Sequence, residues 1–131
     1  MKKVFISTST FAQFSNEPIN ILKDNGVEII LNEKGRKLTY DELVSIIYEF
    51  EGVIAGTETY DKPLLEKAEK LKVISRLGVG TDNIDLSVMK NKNISLFTTK
   101  TNPAPAVSEL VIGLILDLHR NISRSNEMLK D

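Results

Sequence analysis

The chain has 131 residues, no cysteine, and 17 basic residues against 18 acidic ones. With 41% apolar and 27% charged residues it has the composition of an ordinary globular domain, which argues against disorder. The net charge of −1 gives no electrostatic basis for binding nucleic acid or an anionic membrane, and the lack of cysteine excludes disulfides and thiolate metal sites. No apolar stretch approaches the roughly 20 residues of a membrane span, and no signal-peptide core follows Met1. We therefore expect a cytoplasmic protein with no metal, nucleic-acid or membrane partner.

Short runs of β-branched and apolar residues predict five strands that are covered on both faces. The runs occupy residues 4–7, 27–31, 52–55, 72–75 and 94–97. The segments between them each carry a helix-capping residue near their start: Asn16, Thr39, Asp61 and Asp85. This alternation predicts an α/β fold with right-handed crossovers, a parallel sheet and helices on both faces, although the strand order stays open.

Ligands of such sheets bind at the carboxyl ends of the strands, close to the point where the strand order reverses. We expect the ligand-binding loops to lie at residues 7–14, 56–60, 76–83 and 98–105.

The last segment has a different pattern. From Ala106 onward apolar residues keep helical spacing almost to the end of the sequence, which predicts one helix over about residues 105–128. That helix would be on the order of 36 Å long, more than crossing a small sheet requires. We expect it to pack on a second domain or another subunit, so that residues 1–103 form one domain and residues 104–131 an inter-domain or dimer-arm helix.

The segment Arg76 to Asn83 (RLGVGTDN) directly follows a predicted strand, so its glycines stand where backbone can approach a ligand. Amides of such a turn can bind a carboxylate or phosphate, and Arg76 can add a bidentate charged contact. The spacing is not that of a dinucleotide-binding loop, because no glycine follows at the required place. A plain glycine turn, with Arg76 in a surface ion pair, explains the same residues.

Three further features have a functional and an ordinary interpretation. The loop at 57–59 (Thr-Glu-Thr) offers hydroxyls and a carboxylate to a small ligand, or is simple turn chemistry. Asn102 is presented by a loop stiffened by two prolines, or lies in a rigid lead-in to the long helix. His119 is the single histidine, and as neither a partner nor a pocket is apparent, we assign it to the rim of the helix.

Residues 71–86, LKVISRLGVGTDNIDL, closely resemble the D-isomer-specific 2-hydroxyacid dehydrogenase family, and within it the D-3-phosphoglycerate dehydrogenase branch most of all. The flanking pieces GVIAGT (52–57) and AVSEL with GLIL (106–116) stand in the same order as in that family. The resemblance covers essentially all 131 residues.

The resemblance implies a substrate-binding domain of flavodoxin-like topology, joined by a long helix to a Rossmann domain that binds NAD. Gly78, Val79 and Gly80 would hold the substrate carboxylate, Val79 would also lie near the nicotinamide, and Arg76 would stand in or beside the pocket. Asn102 lies close to the place of the family's Asn-Thr-Pro-Gly turn and is our remaining candidate substrate-binding residue. The substrate would be a small 2-hydroxy or 2-keto acid, and the branch would place the complete protein in serine biosynthesis.

Two family features are absent from these 131 residues: the Gly-x-Gly-x-x-Gly loop, and the catalytic Arg, Glu and His, which His119 does not match. We therefore assign no catalytic residue and expect the chain alone to bind NAD weakly or not at all and to be inactive. A homodimer would form through the long helix and the NAD-binding domain. The sequence also has Ala55 where phosphoglycerate-specific members often carry arginine.

Three functional interpretations remain open. The chain is the amino-terminal part of an NAD-dependent 2-hydroxyacid dehydrogenase, a stand-alone binding or regulatory module of the same fold, or a corepressor-like protein-binding scaffold. The third rests on family analogy alone.

Overall fold

The computed structural model describes residues 2–130, which form two compact units, residues 2–100 and residues 101–130. The first unit contains five strands: β1 (Lys2–Ile6), β2 (Val27–Leu31), β3 (Gly52–Ala55), β4 (Val73–Arg76) and β5 (Ser95–Thr98). All four neighbouring pairs are parallel, and the strand order is β2-β1-β3-β4-β5. This order is the flavodoxin-like one, so the predicted fold class is confirmed and each strand lies within two residues of its predicted run.

Four helices of the first unit connect the strands: α1 (Glu17–Asp24), α2 (Tyr40–Ile46), α3 (Lys62–Lys67) and α4 (Leu86–Asn91), with a 3-10 turn at Ile47–Glu49 after α2. The predicted caps operate at three of them. Asp61 accepts a hydrogen bond from the Leu64 amide, Asp85 accepts from the Ser87 and Val88 amides, and Thr39 forms a reciprocal capping box with Glu42. The Asn16 side chain makes no capping bond; the Ser15 hydroxyl accepts the Glu17 amide instead.

The two faces of the sheet are packed differently. In the register of the sheet, neighbouring positions on β1, β3, β4 and β5 are occupied by Phe5, Val53, Ile74 and Leu96. They pack on the core cluster that α2, α3 and α4 supply. Right-handed crossovers place α1 on the opposite face, where Phe97 is 61% exposed and Ser75 is exposed. Most of the core of the first unit therefore lies on one side of the sheet.

The second unit consists of α5 (Ala104–Arg120) and α6 (Ile122–Met128). The prediction of one continuous helix is wrong at Asn121, which adopts a left-handed conformation (φ 52°, ψ 40°) and ends α5. Asparagine tolerates this conformation, and Asp117 stabilises the break by accepting hydrogen bonds from the amide and hydroxyl of Ser123. The hydrophobic period continues across Asn121, which is why sequence periodicity does not reveal the break. The apolar side chains of both helices are exposed.

No helix among residues 2–130 combines the length and the apolar character needed to cross a membrane. Over the same residues, no three His, Cys, Asp or Glu side chains are grouped so that they could hold a metal ion.

Stability of the first unit should fall at acidic pH through Glu42. Hydrogen bonds from Arg36 and Lys34, together with the Thr39 amide, hold the pKa of the Glu42 carboxyl far below its ordinary 4.5. Because the folded-state pKa is depressed, the stabilisation is present above the unfolded-state pKa and is lost as the pH falls toward the folded-state pKa. In urea denaturation, wild type should exceed Glu42→Gln in unfolding free energy at about pH 6, and the difference should shrink at about pH 3.

Glu69→Gln, at an exposed position, controls for the loss of one surface carboxylate. A difference between wild type and Glu42→Gln that stays the same at both pH values would contradict this account.

Candidate functional site

The carboxyl ends of β1 and β3 meet where the order of the sheet reverses. From β1 the chain moves outward to β2, whereas from β3 it moves the other way to β4 and β5. The loops that follow β1 and β3 therefore diverge and leave a cleft between them. The cleft has a volume of about 250 Å³ and is lined by Ser7, Thr8, Ser9, Thr10, Lys37, Gly56, Thr57, Glu58 and Leu77.

A buried carboxylate forms part of this cleft. Glu58 is only 4% exposed, and its Oε2 accepts hydrogen bonds from the Ser7 hydroxyl at 2.8 Å and from the Gly56 amide at 3.0 Å. Gly56 has no room for a side chain, because a Cβ would lie 2.8 Å from the Thr8 Cγ2 and 3.2 Å from Oε2 itself. The sequence pointed to loop 57–59 but gave no sign that Glu58 turns inward. Its hydrogen-bond donor Ser7 lies 51 positions away in the sequence, so no local pattern links the two residues.

Lys37 stands at the entrance to the cleft. Its Nζ donates to the Thr57 carbonyl oxygen at 2.7 Å. A second cleft of about 290 Å³ shares Lys37 and Glu58 with the first. Lys37 is not recognisable from the sequence, since a lone lysine in a polar loop carries no motif.

Two hydroxyls close to this cluster are buried without a hydrogen-bond partner among the described residues. They are Thr8 Oγ1 and the phenol of Tyr60. Burial, reinforced by the negative charge of Glu58, raises the pKa of the Tyr60 phenol far above its ordinary value of 10. The phenol is therefore neutral over the whole physiological range.

Asn83 joins the loop after β3 to the glycine loop after β4. Its side-chain amide donates to the Glu58 carbonyl oxygen and, at 3.4 Å, to that of Gly56. Its own carbonyl oxygen accepts the Tyr60 amide at 2.8 Å, and a parallel bridge pairs Tyr60 with Ile84. The two loops consequently form one connected edge.

The backbone of Gly78 is already used within the protein. Its amide donates to the Arg76 carbonyl and to the Thr99 hydroxyl, both at 3.0 Å, and its carbonyl accepts the Thr99 amide. The amides of Val79 and Gly80 make no hydrogen bond within residues 2–130, and both residues are exposed. The donors available to an anion are therefore those of Val79 and Gly80, while Gly78 shapes the turn.

Arg76 lies over the glycine turn. Gly78 has a φ of +152°, and a Cβ there would overlap the Arg76 guanidinium. The Arg76 Nε is 3.5 Å from the Asn83 side-chain oxygen, and Nη1 is 3.4 Å from the Leu77 carbonyl. Both contacts are long for hydrogen bonds, and no carboxylate of the described chain pairs with Arg76. The surface ion pair that the ordinary interpretation required is not formed.

The sequence-predicted residues thus divide between the two units. Arg76 is the last residue of β4, and Gly78, Val79 and Gly80 lie on the loop that follows it. Asn102 belongs to the second unit, where its side-chain oxygen accepts a hydrogen bond at 2.9 Å from the amide of Ala104, the first residue of α5. His119 is exposed in the last turn of α5.

Residues 4–128 match the family model described as D-isomer specific 2-hydroxyacid dehydrogenase, catalytic domain. The chain is 32% identical over 122 residues to a hydroxypyruvate reductase of Thermotoga maritima, an alignment covering 88% of this chain and 39% of that protein. It is also 32% identical over 134 aligned positions to human D-3-phosphoglycerate dehydrogenase, covering 100% of this chain and 24% of that protein. The chain therefore spans well under half the length of these relatives.

Solved structures show the same fold. An NAD+-bound 3-phosphoglycerate dehydrogenase from Entamoeba histolytica matches with a TM-score of 0.72 and 27% identity, over 88% of this chain and 38% of that one. The TT0316 protein of Thermus thermophilus matches with a TM-score of 0.80 and 23% identity, over 100% and 40% respectively.

The two glycines of the loop should respond differently to a methyl group. Gly78→Ala places a side chain at a positive φ and displaces Arg76, so we expect a loss of about 1–3 kcal/mol in unfolding free energy. Gly80→Ala is the matched control, since its Cβ would meet only Asp82 Oδ2 at an ordinary 3.5 Å. Its change should stay within about 0.5 kcal/mol. Urea denaturation measures both, and equal losses would refute the distinction.

Proposed function

The chain belongs to the D-isomer-specific 2-hydroxyacid dehydrogenase family, and we propose that it forms the substrate-binding part of an NAD-dependent enzyme. The reaction is the interconversion of a small 2-hydroxy acid and the corresponding 2-keto acid by hydride transfer. The assignment of residues 1–103 to the substrate-binding domain and of 104–131 to an inter-domain or dimer-arm helix is part of this proposal.

One observation carries the proposal: the amides of Val79 and Gly80 are exposed and unbonded within the described residues, beside a guanidinium that no carboxylate neutralises. Backbone amides of a turn bind carboxylates, and a neighbouring arginine adds a charge-assisted contact. These groups converge at the carboxyl edge of the sheet, where ligands of parallel sheets bind. Every substrate of the reaction carries a carboxylate next to the reacting carbon.

Within this proposal each residue has a separate role in substrate binding. Val79 and Gly80 hold the substrate carboxylate, Gly78 sets the shape of the turn, and Arg76 completes the anion site. Asn102, on the second unit, is a further candidate contact to the substrate. Held by its carboxylate, the substrate presents its second carbon in a fixed orientation, and such positioning lowers the barrier to reaction.

Bound NAD would supply the acceptor for the hydride that leaves the hydroxyl-bearing carbon. The half-exposed apolar side chain of Val79 (45%) fits contact with the nicotinamide ring, but no Gly-x-Gly-x-x-Gly loop occurs in the 131 residues. The dinucleotide site and the acid–base groups therefore belong to other parts of the enzyme.

The isolated chain should be inactive, and the enzyme should be a homodimer through the long helix and the NAD-binding domain. The relatives named hydroxypyruvate reductase and D-3-phosphoglycerate dehydrogenase support a 2-hydroxy or 2-keto acid as the substrate. The compounds in these two names differ in the group on the third carbon.

The role of Arg76 can be tested in the complete dehydrogenase, with NADH oxidation as the readout and 2-keto acids as substrates. Loss of a charge-assisted contact to the carboxylate should raise the KM of Arg76→Ala about ten- to a hundredfold. Lys70→Ala, at an exposed position before β4 and so at the other end of that strand from the loop, is the control for loss of one positive charge. An unchanged KM would remove Arg76 from the site, and turnover by the isolated 131-residue chain would contradict the proposed division of the enzyme.

The anion site itself can be tested on the isolated chain by NMR. Titration with D-glycerate should shift the amide resonances of Val79 and Gly80, because these donors are available, and should move that of Gly78 far less. Gly35, an exposed glycine in another loop, is the internal reference. If Gly78 shifted as much as Val79 and Gly80, or if none of the three moved, the assigned donors would be wrong.

A further inference from the structure

The cleft between β1 and β3 has features that the carboxylate site does not use. We propose that it receives the substituent on the third carbon of the substrate, and that Glu58 selects there a hydroxyl group in preference to a phosphate or a methyl group. This inference rests on the proposed function and assigns Glu58 as a specificity-determining residue.

The first observation concerns the two oxygens of the Glu58 carboxylate, of which only one is hydrogen-bonded within the described residues. Oε2 is occupied by the Ser7 hydroxyl and the Gly56 amide. Oε1 receives no hydrogen bond from the described residues, although Glu58 is 4% exposed and lines the cleft. Oε1 is not among the buried unpartnered atoms of the described residues, so it is open to the cleft and available to a hydrogen-bond donor.

The second step is the chemistry of the remaining wall. Residues with hydroxyl side chains line the cleft: Thr8, whose Oγ1 is itself buried, and the exposed Ser9, Thr10 and Thr57. Hydroxyls both donate and accept, so this wall matches another hydroxyl. A methyl group in the same place would make no hydrogen bond to the carboxylate oxygen or to these hydroxyls.

The third step concerns negative charge. A phosphate in the cleft would lie beside the Glu58 carboxylate, and like charges repel. The cationic side chain in the lining is that of Lys37, whose Nζ is engaged with the Thr57 carbonyl oxygen at 2.7 Å. The electrostatics of the cleft therefore favour a neutral donor over an anion.

The fourth step connects the cleft to the carboxylate site. Leu77 lines the cleft and directly precedes the glycine turn. Asn83 holds the loop of Glu58 against the end of the glycine loop. A substrate whose carboxylate lies on Val79 and Gly80 can extend past Leu77 toward Glu58, so the preferred substrates are short 3-hydroxy-2-keto acids and their reduced forms.

Glu58 could instead serve only to brace β1 against β3 through Ser7 and Gly56. Glu58→Gln separates the two roles. A glutamine side-chain oxygen still accepts both hydrogen bonds, so the brace persists, whereas the negative charge and the second acceptor are replaced by a neutral amide donor.

The experiment compares hydroxypyruvate, pyruvate and 3-phosphohydroxypyruvate as substrates of the complete dehydrogenase by kcat/KM. Wild type should prefer hydroxypyruvate over pyruvate about ten- to a hundredfold, the range for a hydrogen bond to a charged group. Glu58→Gln should lower that preference about two- to tenfold, because its amide can still donate to the hydroxyl but carries no charge, and should raise the ratio of 3-phosphohydroxypyruvate to hydroxypyruvate at least about tenfold. Thr57→Val, which removes an exposed hydroxyl of the cleft and leaves Glu58 intact, should also lower the preference for hydroxypyruvate about two- to tenfold. Glu69→Gln should alter none of these ratios.

The outcomes separate this inference from the proposed function. If wild type reduces 2-keto acids but folded Glu58→Gln and Thr57→Val keep the wild-type ratios, the inference is overturned and the proposed function stands. Preference of wild type for 3-phosphohydroxypyruvate would likewise overturn it. If wild type reduces none of the three with NADH or NADPH, the proposed function fails and this inference fails with it. If Glu58→Gln does not fold, Thr57→Val decides.

Discussion

The arrangement of this edge depends on the side chain of Asn83. Its amide donates to two carbonyl oxygens of the loop after β3, those of Gly56 and Glu58, and its backbone carbonyl receives the Tyr60 amide. Loops usually move independently of one another. Here the loop that carries the glycine turn and the loop that carries Glu58 cannot separate without breaking these bonds. The spacing between the anion site and the cleft is therefore a property of the fold.

Along that edge, some backbone groups are hydrogen-bonded inside the protein and others have no partner among the described residues, an arrangement that suits ligand binding. Gly78 uses both its amide and its carbonyl inside the protein, and its lack of a side chain lets Arg76 lie across the turn. Val79 and Gly80 keep their amides free within the described residues. A preorganised site needs both kinds of group, because the internal bonds fix the geometry and the remaining donors bind the ligand.

Sequence reasoning recovered what is local and periodic. The β-branched runs located all five strands, and Thr39, Asp61 and Asp85 were recognised as caps because a cap acts within three residues of its position. The resemblance supplied the topology, which periodicity alone left open. The left-handed residue Asn121 was missed, since a hydrophobic stripe carries no information on one backbone angle. Glu58 was missed as a buried residue because its partner Ser7 is far away in the sequence.

The burial of Glu58 bears on why a carboxylate occupies this position at all. Removing a charge from water is costly, and two donors to a single oxygen compensate it only in part. A neutral amide would accept the same two hydrogen bonds from Ser7 and Gly56 at a lower desolvation cost. The brace between β1 and β3 therefore does not require a charge. Local rules of folding are most often violated where a protein binds or reacts, and Glu58 violates one at the edge of the sheet where the strand order reverses. A carboxylate that keeps one oxygen open to the cleft is best explained by a ligand that completes its hydrogen bonding, and the hydroxyl-bearing residues of that cleft indicate what kind of group the ligand brings.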